Sequence, residues 1–458
     1  MNVLAQSLAL VVGLALSAGA TSAAEGPVPP LSSDACWKAM PATVKGGAGP
    51  LPSWTRAVAT QLPRTAAAML ELDYAQRTAS PLEPKLRASM RWVVAHANRS
   101  AYGETYALAD LRRAGGTDED VTALTGDPAN WPESLRDPLE FARLHTVDAP
   151  SIPDALFARL AERFGAKKAA AMVLLGAYGN FQDRIVLGLN LAVEEGGPLA
   201  PVEVKFAPGT LQVVPLLADQ PTVPKLIENG TNVVERDPEW SSLSYDELQS
   251  RLELQRGRKP RLPIPPWDEV KKGLPPQMAA RPTKIVWNLV CSGYVPELAV
   301  PWGQATRTMW AEAKPDRIFE ESLFWVQTRA IGCNYCMGHC EMLMEVAGLD
   351  KPAIAERTRK LATDDWSAFP PREQRALAYA RKLSKTPWAL TPADYGTLSS
   401  DFGPKEAMGT FFWLCRGLYM TRISDGFQLP LERENVFVDF YQKKTPAAAA
   451  EPSPGSPK

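Results

Sequence analysis

The 458-residue sequence predicts an all-α fold made of two tandem helical domains joined by a Pro-rich connector. Three observations carry this expectation: an internal repeat, long segments of helical apolar periodicity, and an intervening stretch where proline and charge replace that periodicity. Phe164-Gly165, Arg184-Ile185 and Gly188 match Phe402-Gly403, Arg422-Ile423 and Gly426 at an offset of 238. Trp131-Pro132 and Phe141-Ala142-Arg143 match Phe369-Pro370 and Tyr379-Ala380-Arg381 at the same offset. Upstream, Trp92, Tyr102 and Gly115 match Trp325, Tyr335 and Gly348 at 233, and a change of loop length reconciles the two offsets.

In chain order, residues 1–24 read as a secretory signal. Leu8 to Leu16 is an apolar core, and Ala18-Gly19-Ala20 or Ser22-Ala23-Ala24 supplies a small-residue cleavage site. The run is shorter than the ~20 residues a membrane span needs. A secreted or periplasmic protein with no membrane span is therefore expected. Residues 50–195 form the first domain, with helical patterning over Leu86 to Leu111, Asp154 to Glu162 and Lys168 to Ala192. Residues 196–280 form the connector, extended apart from a short amphipathic helix from Ser244 to Gln255, and its basic run Arg256 to Arg261 reads as a solvated linker. Residues 281–440 form the second domain, and the Ala/Pro/Ser-rich segment 445–458 reads as a disordered tail. With 45% hydrophobic residues each domain has material for its own core, while a net charge of −1 without a basic stripe argues against a nucleic-acid partner.

Chemistry is concentrated in Cys333-Asn334-Tyr335-Cys336-Met337-Gly338-His339-Cys340, which holds three of the six cysteines and one of the three histidines. On a helix, positions 333, 336 and 340 share a face. Gly332 marks a break before the cluster, and Glu341 to Ala347 followed by Gly348 reads as a helix with a glycine cap. The CxxC thus falls at a helix start, where free N–H groups favour a thiolate and lower the thiol pKa below ~8.5. The repeat supplies an internal control: the first copy has Ser100, Gly103, Tyr106 and Ala107 in place of Cys333, Cys336, His339 and Cys340. A domain that folds without these groups does not need them as scaffold.

Three readings of the cluster stand side by side. Cys333 and Cys336 cycle between dithiol and disulfide; or Cys333, Cys336, His339 and Cys340 bind zinc, although four ligands from two turns of one helix do not easily surround an ion; or the thiols are inert or form a static bridge. A c-type haem would need the histidine directly after the second cysteine, where Met337 stands. Glu320 and Glu321, in a helical segment from Asp316 to Ala330, offer a base that an antiparallel helix pair would return beside His339. In an oxidising compartment Cys36 and Cys291 are candidates for a structural disulfide, and Cys415, in an apolar run, for a core residue. His96 and His145 read as ordinary structural or surface residues.

These residues resemble the alkylhydroperoxidase D-like and carboxymuconolactone decarboxylase-like family, whose all-α domain carries a Glu, eleven residues, a CxxC, and a His four residues after the second cysteine. Glu321 stands at the matching distance from Cys333-Asn334-Tyr335-Cys336. The family's histidine position holds Cys340, and His339 falls one residue early, about 100° around a helix. The resemblance covers 282–432 and, through the repeat, 82–194, where Ala88 replaces the glutamate. It implies that Cys336 is the attacking thiol, Cys333 the resolving thiol and Cys340 a further thiol at the site. It further implies a degenerate first copy whose role is to pack against the second, as relatives do by oligomerising. The implied activity is thiol-dependent peroxide reduction or disulfide exchange. The substrate is then a peroxide or disulfide, an external dithiol donates electrons, and no cofactor takes part. Lactone decarboxylation, the family's other named activity, does not use a CxxC. The competing expectation is a non-catalytic binding or scaffold protein with an inert Cys333–Cys336 disulfide.

Overall fold

Helix starts in this chain are set by proline and by short polar caps. Pro63, Pro84, Pro296, Pro371, Pro392 and Pro404 each sit in the first turn of a helix, where a missing N–H costs nothing. Ser100, Thr117, Ser244, Asp316 and Asp350 cap others through side-chain oxygens. The computed structural model describes residues 26–207, 209–211, 226–314 and 316–438; the expected signal segment and tail lie outside the described residues. The result is an all-α protein, 67% helical, in which the one sheet among the described residues pairs Thr43–Lys45 (β1) antiparallel with Lys205–Phe206 (β2).

After α1 (Ser33–Ala39), the first half runs α2 (Ser53–Val58), α3 (Pro63–Thr78), α4 (Pro84–Ala97), α5 (Ala101–Arg113), α6 (Asp118–Thr125), α7 (Glu133–Val147), α8 (Asp154–Phe164) and α9 (Ala166–Gly188). The middle segment contributes α10 (Tyr245–Arg256), α11 (Trp267–Val270) and α12 (Pro276–Ala279). The second half runs α13 (Val286–Tyr294), α14 (Pro296–Ala313), α15 (Arg317–Ile331), α16 (Asn334–Val346), α17 (Lys351–Leu361), α18 (Pro371–Lys385), α19 (Pro392–Phe402) and α20 (Pro404–Phe427). The first residues of α2 to α6 recur 233 positions later as those of α13 to α17, and the first residues of α7 to α9 recur 238 positions later as those of α18 to α20. Like packs on like between the halves: α3 lies along α14 and α9 along α20.

The repeated glycines explain how α9 and α20 come so close. A Cβ on Gly188 would sit 2.4 Å from the Phe411 ring, and one on Gly426 would sit 2.6 Å from Val173 and 2.8 Å from His145 Nε2. His145 is fully buried; burial drives its pKa down to about 3, and Nε2 meets the Arg422 carbonyl at 2.7 Å. It is a neutral bracket between the halves. Gly188→Ala is accordingly expected to cost about 1–3 kcal/mol by overpacking, read as a shift in the urea midpoint at unchanged slope.

Three expectations need correction. The Leu86 to Leu111 segment is two helices, because the chain reverses at Asn98-Arg99-Ser100 with Arg99 at φ 56° and the Ser100 hydroxyl capping α5. The connector is not simply extended, and its basic run is solvated only over Gly257 to Lys259, with Arg256 and Arg261 held at its two ends. α10 packs on α16, Gln255 exchanges hydrogen bonds with Leu429 and Leu431, Arg256 donates to the Glu432 carbonyl, and the half-buried Arg261 donates to carbonyls at the end of α20 and to that of Ile152. Finally, Cys36 and Cys291 are free, buried thiols, the first on α1 and the second on α13. Asn98, in an N-x-S triplet, is buried and bonded to Arg184 and Asp183, so it is no acceptor for a glycan.

Candidate active site

Gly332, at φ 78°, ends α15 in the left-handed conformation, and Cys333 becomes the N-cap residue of α16 with no side-chain capping bond. In the first half the equivalent Ser100 accepts from the Gly103 N–H, as an ordinary cap does. A cysteine is a poor substitute for that role, so its presence at the cap calls for another reason. One turn on, Cys336 approaches Cys333 to 3.5 Å without a bond between them.

Each thiol of the cluster has its own polar neighbour. Cys336 Sγ lies 3.0 Å from Ser424 Oγ, whose proton is given to the Met420 carbonyl at 2.7 Å. The Cys336 thiol therefore donates to the hydroxyl, and rotation of that hydroxyl would turn Ser424 into a donor to a Cys336 thiolate. Cys333 lies beside Asp425, a half-buried residue whose Oδ2 is shut off from solvent and has no hydrogen-bond partner. Burial raises the Asp425 pKa to about 7 against the opposing pull of Arg422. Cys340 lies beside Glu321, which is buried and 3.4 Å from Arg317. Burial raises the Glu321 pKa, with Arg317 and Arg416 opposing. Glu320 is equally buried, and neither of its carboxylate oxygens has a hydrogen-bond partner.

The helix start does not lower the Cys333 thiol as expected: desolvation dominates, and burial pushes both Cys333 and Cys340 well above the ordinary thiol range. Nor does His339 pair with Glu321. Its Nε2 meets Glu432 Oε2 at 2.7 Å, because the one-residue shift turns the ring toward the segment after α20, while Cys340 takes the place beside Glu321. Glu432 also accepts from the Tyr335 hydroxyl at 3.0 Å and the Val286 amide at 2.8 Å. Burial would raise its pKa, but His339 and that amide hold it below the usual carboxylate range. The first half contains the same clasp: Glu194, 238 positions earlier, accepts from Tyr102, Tyr106 and the Ser53 amide. His339 in the place of Tyr106 is what the second half adds. Glu432→Ala should cost about 2–4 kcal/mol in urea unfolding, since the Tyr335 hydroxyl and the Val286 amide lose a buried acceptor.

Cys336 and His339 line a cavity of about 100 Å³ walled by Trp287, Trp310, Phe324 and Phe437, with Arg317 and Arg416 also in its lining. Arg317 lies 4.1 Å over Trp310 and Arg416 4.2 Å over Trp413. The equivalent space in the first half is a smaller cavity of about 30 Å³, narrowed by charged side chains. Arg77 bonds Asp73 and Asp110, the Tyr178 hydroxyl bonds Asp73, and a Cβ on Gly103, the counterpart of Cys336, would sit 2.4 Å from Asp183 in its ion pair with Arg91. Among the described residues no group of three His, Cys, Asp or Glu side chains is placed to hold a metal ion, since Cys333, Cys340 and His339 turn to three different carboxylates.

The structure thus brings Cys333, Cys336, Cys340, Glu321 and His339 into one neighbourhood and adds Ser424, Asp425 and Glu432. The repeat register was the one signal for Glu432, through its match with Glu194; nothing comparable marked Asp425, whose counterpart is Leu187. No helix among the described residues is long and apolar enough to cross a membrane. Compared with known proteins, the chain matches no family model, and no curated protein is significantly similar to it.

Proposed function

We propose that this is a thiol-dependent peroxidase or disulfide oxidoreductase with two tandem alkylhydroperoxidase D-like domains, the second active and the first degenerate. The observation that carries the reading is that Cys336 lines an aromatic cavity with a second thiol, Cys333, 3.5 Å from it. The Cys336 thiol passes its proton to His339, in the same cavity, the thiolate attacks the terminal oxygen of a peroxide ROOH, the O–O bond breaks, and His339 returns that proton to the leaving oxygen so that ROH departs. Cys336 is then a sulfenic acid. Cys333 attacks that sulfur, forming the disulfide and releasing water, and Asp425 is the acceptor for the Cys333 proton. An external dithiol reduces the bridge and leaves as its own disulfide, so the net reaction is ROOH plus dithiol to ROH, water and donor disulfide. Glu321 and Cys340 form the buried pair behind the nucleophile. In the same reading residues 1–24 are an export signal, and the protein works in the periplasm or outside the cell.

The test is peroxide consumption by the purified chain with several dithiol donors, alongside redox titration of the Cys333–Cys336 pair. Turnover with a potential above about −300 mV is expected. No consumption, with a potential below that value, would make the pair an inert bridge.

A further inference from the structure

The repeated arginines that open the Arg184-Ile185 and Arg422-Ile423 matches have no part in the thiol chemistry, yet both halves keep them. Arg184 on α9 and Arg422 on α20 each expose 3% of their surface and line one cavity of about 310 Å³ where the halves meet. A buried guanidinium stays charged and ordinarily has a carboxylate against it. Neither arginine has one: within 4.0 Å no ion pair is formed by either among the described residues. Arg184 uses only Nη1, on the Asn98 and Asn180 side-chain oxygens, and Arg422 only Nη2, on the Thr146 carbonyl at 2.8 Å. The Nε of each is buried without a partner.

The surrounding charges do not supply the missing anion. Asp183 is committed to Arg91 and Asn98, and Asp425 meets Cys333 and attracts Arg422 only from beyond ion-pair distance. At the exposed side of the cavity Lys385 adds a third cation against a single carboxylate, Asp148. Two buried cations from equivalent helices, with donors to spare and a volume at the lower end of small-molecule sites, make a receptor for negative charge.

We infer that the cavity between the halves is a binding site for a small oxyanion, a phosphate- or carboxylate-bearing molecule held between Arg184 and Arg422. The site is independent of the redox reading, because the first half retains its arginine while lacking every thiol of the cluster. Calorimetric titration and thermal melts of the full chain with inorganic phosphate and with succinate, against sodium chloride at equal ionic strength, test it. At least one probe is expected to bind and raise Tm, and the tighter of the two tells a phosphate site from a carboxylate site. Arg184→Gln and Arg422→Gln should each weaken binding about thirtyfold or more. Lys385→Glu, at an exposed position that leaves the buried network intact, should weaken it several-fold even if the arginine variants fail to fold. Binding of neither probe beyond the chloride control, or equal affinity in the wild type and Lys385→Glu, would overturn the inference.

Discussion

Cys336→Ser is expected to lower peroxide turnover by roughly a thousandfold or more, whereas Cys415→Ser leaves it within about twofold. The contrast rests on position. Both residues are buried cysteines on helices of the second half, but Cys336 lines the aromatic cavity and Cys415 is enclosed by α20 and its neighbours, with its pKa pushed up by burial. Serine retains the size of the thiol and loses its nucleophilicity, so a structural role would predict similar effects at both sites. Cys333→Ser separates the two chemical steps: Cys336 should still consume one equivalent of peroxide and stop as a sulfenic acid, detected by mass as a single added oxygen. Equal turnover in Cys336→Ser and Cys415→Ser would remove Cys336 from the reaction.

Much of the fold was legible because a duplicated helical chain repeats its punctuation. Pro63 and Pro296, or Pro392 after Asp154, sit at matching helix starts, and Gly165 and Gly403 take the same positive φ before the two long helices. The turn between α4 and α5 was not legible, because Arg99 adopts there the left-handed conformation that Gly332 announces in the second half. In the site, the antiparallel helix pair was expected to set a glutamate beside His339, and it sets Glu321 beside Cys340, the position that the family resemblance had marked. The partner of His339 did not, since Glu432 comes from an irregular segment beyond α20. The acidity of Cys333 was not legible because desolvation depends on what α20 places beside the helix start, which no local pattern states.

Asp425→Asn should change two quantities in opposite directions, and this makes it the most discriminating substitution at the site. Asp425 is raised from an ordinary 3.8 to about 7 by burial, so the folded chain holds its proton over a range where the unfolded chain has lost it. The contribution of this group to stability is therefore complete below pH ~4 and is lost as pH rises toward ~7, with no further change above; the shift corresponds to about 4 kcal/mol. Asparagine does not titrate. Urea unfolding of Asp425→Asn should accordingly lack that decline, leaving the variant at least as stable as the wild type at pH 8. The same change removes the acceptor beside Cys333, and closure of the disulfide after a peroxide pulse should slow by about a hundredfold, the scale of a general base. A residue that only filled space would show neither effect, and one that only carried a buried charge would alter the pH profile of stability while leaving closure untouched. Parallel stability profiles in wild type and variant, with equal closure rates, would mean that the proton of Cys333 leaves by another path.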